Sequence, residues 1–169
     1  MLIFLIGFMG SGKSHLGKEL ASLMKYKFMD TDDLTEVREK RKITTIFEKK
    51  GEHYFREAER KTLKKILSEK KTVVAVGGGL PCYFDNMEEM NKQGVTIYLE
   101  ASAGFLFHRL FNEKEKRPLI SKLNSVELMD FIIEKLHQRK DFYEQAAIKV
   151  EAETVTAEKL KKKVMSYKL

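Results

Sequence analysis

The sequence opens on an uninterrupted apolar run, Leu2, Ile3, Phe4, Leu5 and Ile6, that leads straight into Gly7-Phe8-Met9-Gly10-Ser11-Gly12-Lys13-Ser14. That octet satisfies G-x-x-x-x-G-K-[ST] at every fixed position, and a lysine- and leucine-bearing helical pattern begins at Lys13. A buried strand, a glycine turn and a helix N-terminus in this order form a phosphate-binding loop. Glycines let the main chain approach an anion closely, and successive N–H groups and the positive end of the helix attract it. Gly10, Ser11, Gly12, Lys13, Ser14 and His15 are therefore the candidate nucleotide-binding residues, His15 through its backbone. Lys13 is placed to reach the β- and γ-phosphates of ATP. The Ser14 hydroxyl is a hard oxygen suited to Mg²⁺, which usually keeps several waters. A chance match rarely falls at the end of the first buried strand.

The same strand-then-helix rhythm continues. A second short strand is expected to end near Asp30, residues 72–76 and 95–99 read as buried strands, and residues 147–151 form a weaker one. From Gly51 to about Lys70, apolar side chains fall at three- and four-residue spacing among charges, the pattern of an amphipathic helix. Alternating strands and helices imply parallel pairing with both faces of the sheet covered. The expected fold is α/β: a three-layer α/β/α sandwich around a parallel sheet of about five strands, the P-loop NTPase fold with a lid. At 169 residues, with Pro81 and Pro118 the only prolines and neither at a junction, a single domain is expected over residues 1–169.

Composition narrows the partners. Hydrophobic residues make up 43% and charged residues 34% of the chain, which excludes a disordered composition. No apolar run approaches the roughly 20 residues needed to cross a bilayer, and no basic leader precedes the first strand, so a cytoplasmic protein without a membrane partner is expected. Cys82 is the only cysteine, which rules out an internal disulfide or a cysteine-based zinc site. His53, His108 and His137 show no metal spacing. The net charge of +7 suits anionic ligands, but the chain has no zinc-finger spacing and no aromatic RNP-like pattern, so no nucleic-acid partner is expected.

The phosphate loop does not say which acceptor is used. Asp30-Thr31-Asp32 falls where the second strand should end. If the triplet is extended, both carboxylates face the crevice at the carboxyl edge of the sheet; any of the three could instead cap the following helix. Asp30 is the candidate for Mg²⁺ alongside Ser14, and Asp32 for an acceptor hydroxyl. Residues 112–124 are charged with few periodic apolar positions, the text of a mobile lid, and they contain Arg117.

The loop, followed by Phe28-Met29-Asp30-Thr31-Asp32, Phe47, Gly51-Glu52-His53-Tyr54-Phe55-Arg56-Glu57-Ala58-Glu59, Gly77-Gly78-Gly79, Arg117-Pro118-Leu119, and Arg139 four residues before Tyr143, resembles the shikimate kinase family over nearly the whole chain. The resemblance implies that ATP and Mg²⁺ serve transfer of the γ-phosphoryl group to the 3-hydroxyl of shikimate. Arg56 and Arg139 then bind the shikimate carboxylate as planar forks, Glu59 holds Arg56, and Asp32 orients the reacting hydroxyl or takes its proton. Gly77, Gly78 and Gly79 present N–H groups to the substrate, Phe47 and Phe55 pack on its ring, and Arg117 is delivered to the phosphates by lid closure. Lys13, Asp32 and Arg117 form the catalytic set. A helical region of about residues 32–62 binds the substrate, and the chain acts as a monomer. The strand before Gly77 lacks a Walker B aspartate, which transfers that metal role to Asp30. Arg109, and a loop at residues 151–154, are expected near the adenine. The competing readings are another small-molecule P-loop kinase, for gluconate or a nucleoside monophosphate, and a non-catalytic ATP-binding regulatory domain.

Overall fold

A computed structural model describes residues 1–114 and 119–167. Five parallel strands form one sheet: β1 (Leu2–Ile6), β2 (Lys27–Asp30), β3 (Thr72–Ala75), β4 (Gly94–Glu100) and β5 (Ile148–Glu151), in the order β2-β3-β1-β4-β5. Seven helices connect and cover them among the described residues: α1 (Lys13–Met24), α2 (Thr31–Glu39), α3 (Ile43–Ile66), α4 (Asn86–Gln93), α5 (Ala103–Phe111), α6 (Ser125–Tyr143) and α7 (Ala157–Ser166).

The period-two alternation of a strand sorts β1 between two cores. Ile3 and Leu5 pack with Leu16 and Leu20 of α1, Leu106 of α5, Ile132 of α6 and Leu160 of α7. Leu2, Phe4 and Ile6 pack on the opposite face with Leu63 and Ile66 of α3 and Met87 and Met90 of α4. Burial on both sides explains why β1 reads as continuous apolar text rather than an alternation. The layers are those of a P-loop NTPase.

The strand order positions the site. β1 sits between β3 and β4, and the chain leaves it first toward β2 and later toward β4, so the crevice at the carboxyl end lies at a topological switch point. The turns that follow β2, β3 and β1 are neighbours there. They carry Asp30 and Asp32, the three glycines, and the phosphate loop. The sheet's rims are β2 and β5. Lys27 of β2 pairs with Glu69 at 3.1 Å, and Lys149 of β5 bridges Glu100 and Glu144 at 2.9 and 2.6 Å.

Of the two readings of Asp30-Thr31-Asp32, helix capping holds and the extended triplet does not, because α2 begins at Thr31. Asp30 caps it, its Oδ1 accepting from the Asp32 N–H at 3.0 Å and satisfying a first-turn donor. The helix expected from Gly51 starts earlier, at Ile43, and is kinked at Gly51, whose φ of 77° and ψ of 174° are non-helical. It ends at Ile66 rather than near Lys70.

α5 ends at Phe111 and α6 begins at Ser125, under a capping box of Asn124 and Glu127. Within the interval expected as a lid, Ile120 is buried in the core beside α5 and α6, and Lys114 Nζ donates to the Leu123 carbonyl at 3.2 Å. Arg117 lies outside the described residues. No helix among the described residues is long and apolar enough to cross a membrane.

Candidate active site

The phosphate loop is built as its glycines require. Gly10 and Gly12 sit at φ 83° and 95°, left-handed values that side chains rarely adopt. The Ser11 N–H closes the turn onto the Phe8 carbonyl at 3.2 Å. No side chain among the described residues caps α1, so its first-turn N–H groups face the loop. Lys13 is buried, with Nζ donating to the carbonyls of Gly7 and Phe8 at 2.9 and 2.8 Å. Ser11 Oγ is buried without a hydrogen-bond partner among the described residues. A buried orphan hydroxyl inside a ring of N–H groups fits a phosphate oxygen. The His15 side chain points away to Glu19, 3.4 Å distant and largely exposed, leaving its backbone in the first turn of the helix.

Ser14 Oγ donates to Asp30 Oδ2 at 2.7 Å, so the two candidate Mg²⁺ oxygens are already adjacent, with Asp30 linking the N-termini of α1 and α2. Among the described residues no cluster of three or more His, Cys, Asp or Glu could hold a metal ion. A hydroxyl and one carboxylate nevertheless fit Mg²⁺, which is typically held by few protein oxygens together with phosphates and water.

Beside the loop opens a cleft of about 650 Å³. Met9 belongs to its wall, as do Asp32, Arg56, Glu59, Gly78, Gly79 and Arg139. Phe47 and Phe55, with ring centroids 4.7 Å apart, give it an apolar side, and Leu119 contributes from beyond the undescribed segment. Residues of α2 and both limbs of α3 thus face residues that follow β1 and β3.

The electrostatics of the cleft follow from burial. Asp32 is pushed from 3.8 up to about 6, first by desolvation and then by the neighbouring Asp30 charge, with Lys13 pulling the other way. Glu59 is only 2% exposed, and its Oε2 accepts from Arg56 Nη1 at 2.7 Å. Burial raises the Glu59 carboxyl and the Arg56 guanidinium draws it back, burial being the larger effect. Arg56 is 8% exposed, so its i,i+4 pair with Glu52 joins a buried guanidinium to a carboxylate at the surface. Arg139 lies over the Phe8 ring, its Cζ 5.4 Å from the centroid, and its Nη1 is buried without a hydrogen-bond partner among the described residues. A buried guanidinium N–H opening on a cleft is a place for a carboxylate oxygen.

The three glycines have distinct reasons. A Cβ on Gly77 would sit 2.5 Å from Asp32 Oδ1 and 2.9 Å from Glu59 Oε1; one on Gly79 would strike Arg56 Nη1 at 2.6 Å. Gly78 and Gly79 line the cleft, but the Gly77 N–H donates to Thr31 Oγ1 at 2.7 Å and does not face it. Gly77 therefore makes room for two carboxylates instead of presenting its N–H. In the sequence Thr31 reads only as a possible cap, because its hydroxyl acts across the sheet edge, 46 residues away. Tyr143 reads only as a motif position: its Oη donates to the Gly78 carbonyl at 2.6 Å and fixes the turn. Arg109, expected near the adenine, reaches the phosphate loop, with Nη1 donating to the Gly10 carbonyl at 3.1 Å. In the loop expected beside the adenine, Glu153 accepts from the Ser102 N–H and Oγ, at 3.2 and 2.7 Å, tying that loop to the start of α5.

Known proteins resemble this chain along its length. The sequence model of the shikimate kinase family matches residues 9–168. A shikimate kinase of Phocaeicola vulgatus is 46% identical over 144 residues, 85% of this chain and 82% of the relative. The crystal structure of shikimate kinase from Bacteroides thetaiotaomicron superposes with a TM-score of 0.89 at 38% identity, covering 98% of this chain and 94% of the other. The structure of the Acinetobacter baumannii shikimate kinase in complex with shikimate gives 0.84 at 32% identity, with 97% and 90% covered. A match this long, carried by a loop, an acid pair and an arginine cleft in one fold, places the chain in the shikimate kinase family.

Proposed function

We propose that this protein transfers the γ-phosphoryl group of MgATP to the 3-hydroxyl of shikimate, giving shikimate 3-phosphate and ADP. One observation carries the reading: Asp32, Arg56 and Arg139 open on a single cleft that the phosphate loop also borders. The Acinetobacter baumannii relative was solved with shikimate, a small carboxylated polyol. A ring with one carboxylate and several hydroxyls needs what this cleft contains: guanidinium groups, a carboxylate and an aromatic wall.

In this reading the carboxylate of the acceptor docks on Arg56 and Arg139, and its ring packs on Phe47 and Phe55. Gly78 and Gly79 let it approach the main chain. Asp32 accepts the hydrogen bond of the reacting hydroxyl, and takes its proton as the hydroxyl oxygen attacks the γ-phosphorus and the bond to ADP breaks. The residues around the loop, Gly10, Ser11, Gly12 and the backbone of His15, hold the phosphates in line; Lys13 neutralises charge on the transferring group. Ser14 and Asp30 would hold Mg²⁺, which would supply further charge neutralisation. Arg117 is assigned to the same task from the lid. The protein is read as a cytoplasmic monomer acting on free small molecules, without a nucleic-acid or membrane partner.

The test is turnover with ATP, Mg²⁺ and a panel of acceptors: shikimate, gluconate and a nucleoside monophosphate. Phosphorylation of shikimate is expected to dominate, and Asp32→Asn to lower kcat by about 10²-fold or more. In the same assay Arg139→Ala raises the KM for shikimate by about 10²-fold and that for ATP far less. Preference for another acceptor, or a fully active Asp32→Asn, defeats the assignment.

A further inference from the structure

The Gly77-Gly78-Gly79 turn runs into a short 3₁₀ helix, Leu80–Cys82, and Tyr83 is the first residue beyond it. Tyr83 is 36% exposed and does not line the cleft. It touches the machinery of the cleft from behind. Its ring centroid lies 4.4 Å from Arg56 Cζ, nearer than the rings of Phe55 at 5.2 Å and Phe47 at 5.9 Å. Its hydroxyl donates to Glu52 Oε1 at 2.8 Å. That same oxygen accepts from Arg56 Nη2 at 2.8 Å and Nε at 3.2 Å.

A guanidinium has five N–H groups in one plane. Glu52 takes one from Nε and one from Nη2, and Glu59 takes one from Nη1, leaving one on each terminal nitrogen for a ligand. The two acids are unequal anchors. Glu59 is fully enclosed, whereas the Glu52 side chain is 55% exposed, and a lone i,i+4 pair on an exposed glutamate holds weakly. Held by Glu59 alone, the guanidinium can pivot about the Nη1 contact and carry its two remaining N–H groups away from the cleft. A second hydrogen bond to Glu52, made by a ring that also lies against the guanidinium, removes that freedom. The Glu52 carboxyl is held below its ordinary value by Arg56 first and Tyr83 second, as a shared acceptor should be.

We propose that Tyr83 is a positioning residue for the acceptor site: through Glu52 and its own ring it locks the Arg56 guanidinium in the orientation that receives the acceptor's carboxylate. This rests on the assignment of Arg56 to that carboxylate. Tyr83 has no contact with substrate in this role; it acts on KM through the aim of another side chain.

The experiment compares Tyr83→Phe, which keeps the ring, with Tyr83→Leu, which removes both contacts, alone and in a Glu52→Ala background. Steady-state kinetics give KM for shikimate and for ATP separately, and calorimetric titration gives shikimate binding. The expected rise in shikimate KM is about 3-fold for Tyr83→Phe and about 10-fold for Tyr83→Leu, with ATP KM unchanged and kcat within about 2-fold. In the Glu52→Ala background Tyr83→Phe is silent, because the hydroxyl has lost its target. Partial retention by the phenylalanine variant separates aim from mere folding. An unchanged shikimate KM, parallel rises in both KM values, or additivity with Glu52→Ala overturns the role of Tyr83 while the unaltered enzyme still phosphorylates shikimate. Absence of shikimate turnover by the unaltered enzyme overturns the substrate reading, and this role with it.

Discussion

Asp32 is caught between function and stability. The proposed reaction uses its carboxyl in the cleft as an anion, yet burial and Asp30 push it from 3.8 to about 6. The folded chain therefore binds this proton more tightly than the unfolded chain does. The resulting contribution to stability is complete below about pH 4 and is lost as the pH rises through about 6. In magnesium-free buffer, Asp32→Asn is expected to melt about 3–8 °C higher than the parent at pH 8 and no higher at pH 4. A scan of melting temperature against pH checks both limbs, and equal shifts at the two values contradict the argument. The chemistry of Asp30 and Asp32 was legible from their type and place, but the geometry was not. A carboxylate that accepts from the N–H two residues on starts a helix at once, where the triplet could equally have stayed extended, and that choice depends on one local hydrogen bond. Tyr83 was illegible for another reason: it lies after a single 3₁₀ turn, where no periodicity marks which side chains reach inward.

At the scale of elements, α3 carries the largest departure from the sequence reading. Its first limb was expected only as part of a helical region of about residues 32–62, and periodicity did not mark it, because Ile43 and Phe47 face the cleft and only Ile46 is fully in the core. Gly51 joins the limbs in a conformation that is nearly exclusive to glycine, and a Cβ there would meet nothing within 4 Å. Substitution is therefore opposed by backbone strain alone. Alanine gains up to about 1 kcal/mol of helix propensity but is strained by about 1–3 kcal/mol, so strain wins. Gly51→Ala is expected to melt a few degrees lower and to raise the KM for shikimate, because relief of the strain straightens α3 and withdraws Phe47 from Phe55. An unchanged melting curve would show that the kink is not held under strain. The strands were easier to read than this helix, since β1, β3 and β4 are enclosed on both faces and burial leaves few polar residues to interrupt their text.

At the scale of the molecule, both cores share β1, and neither can be taken apart without exposing a face of that strand. We expect one cooperative thermal transition with a calorimetric enthalpy of about 120 kcal/mol, equal to the van't Hoff value. Two resolved transitions would mean that the cleft-forming helices melt as a separate unit. The order of the strands has a further consequence at the rims of the sheet. β2 and β5 are the shortest kind of border, four residues each, and both present a lysine drawn into ion pairs with nearby glutamates. A second polypeptide seeking to extend the hydrogen-bonded ladder would meet a brief, charged border and gain little from it. The border thus favours solubility over fibrous growth, even though the unpaired backbone edges of β2 and β5 would otherwise invite it.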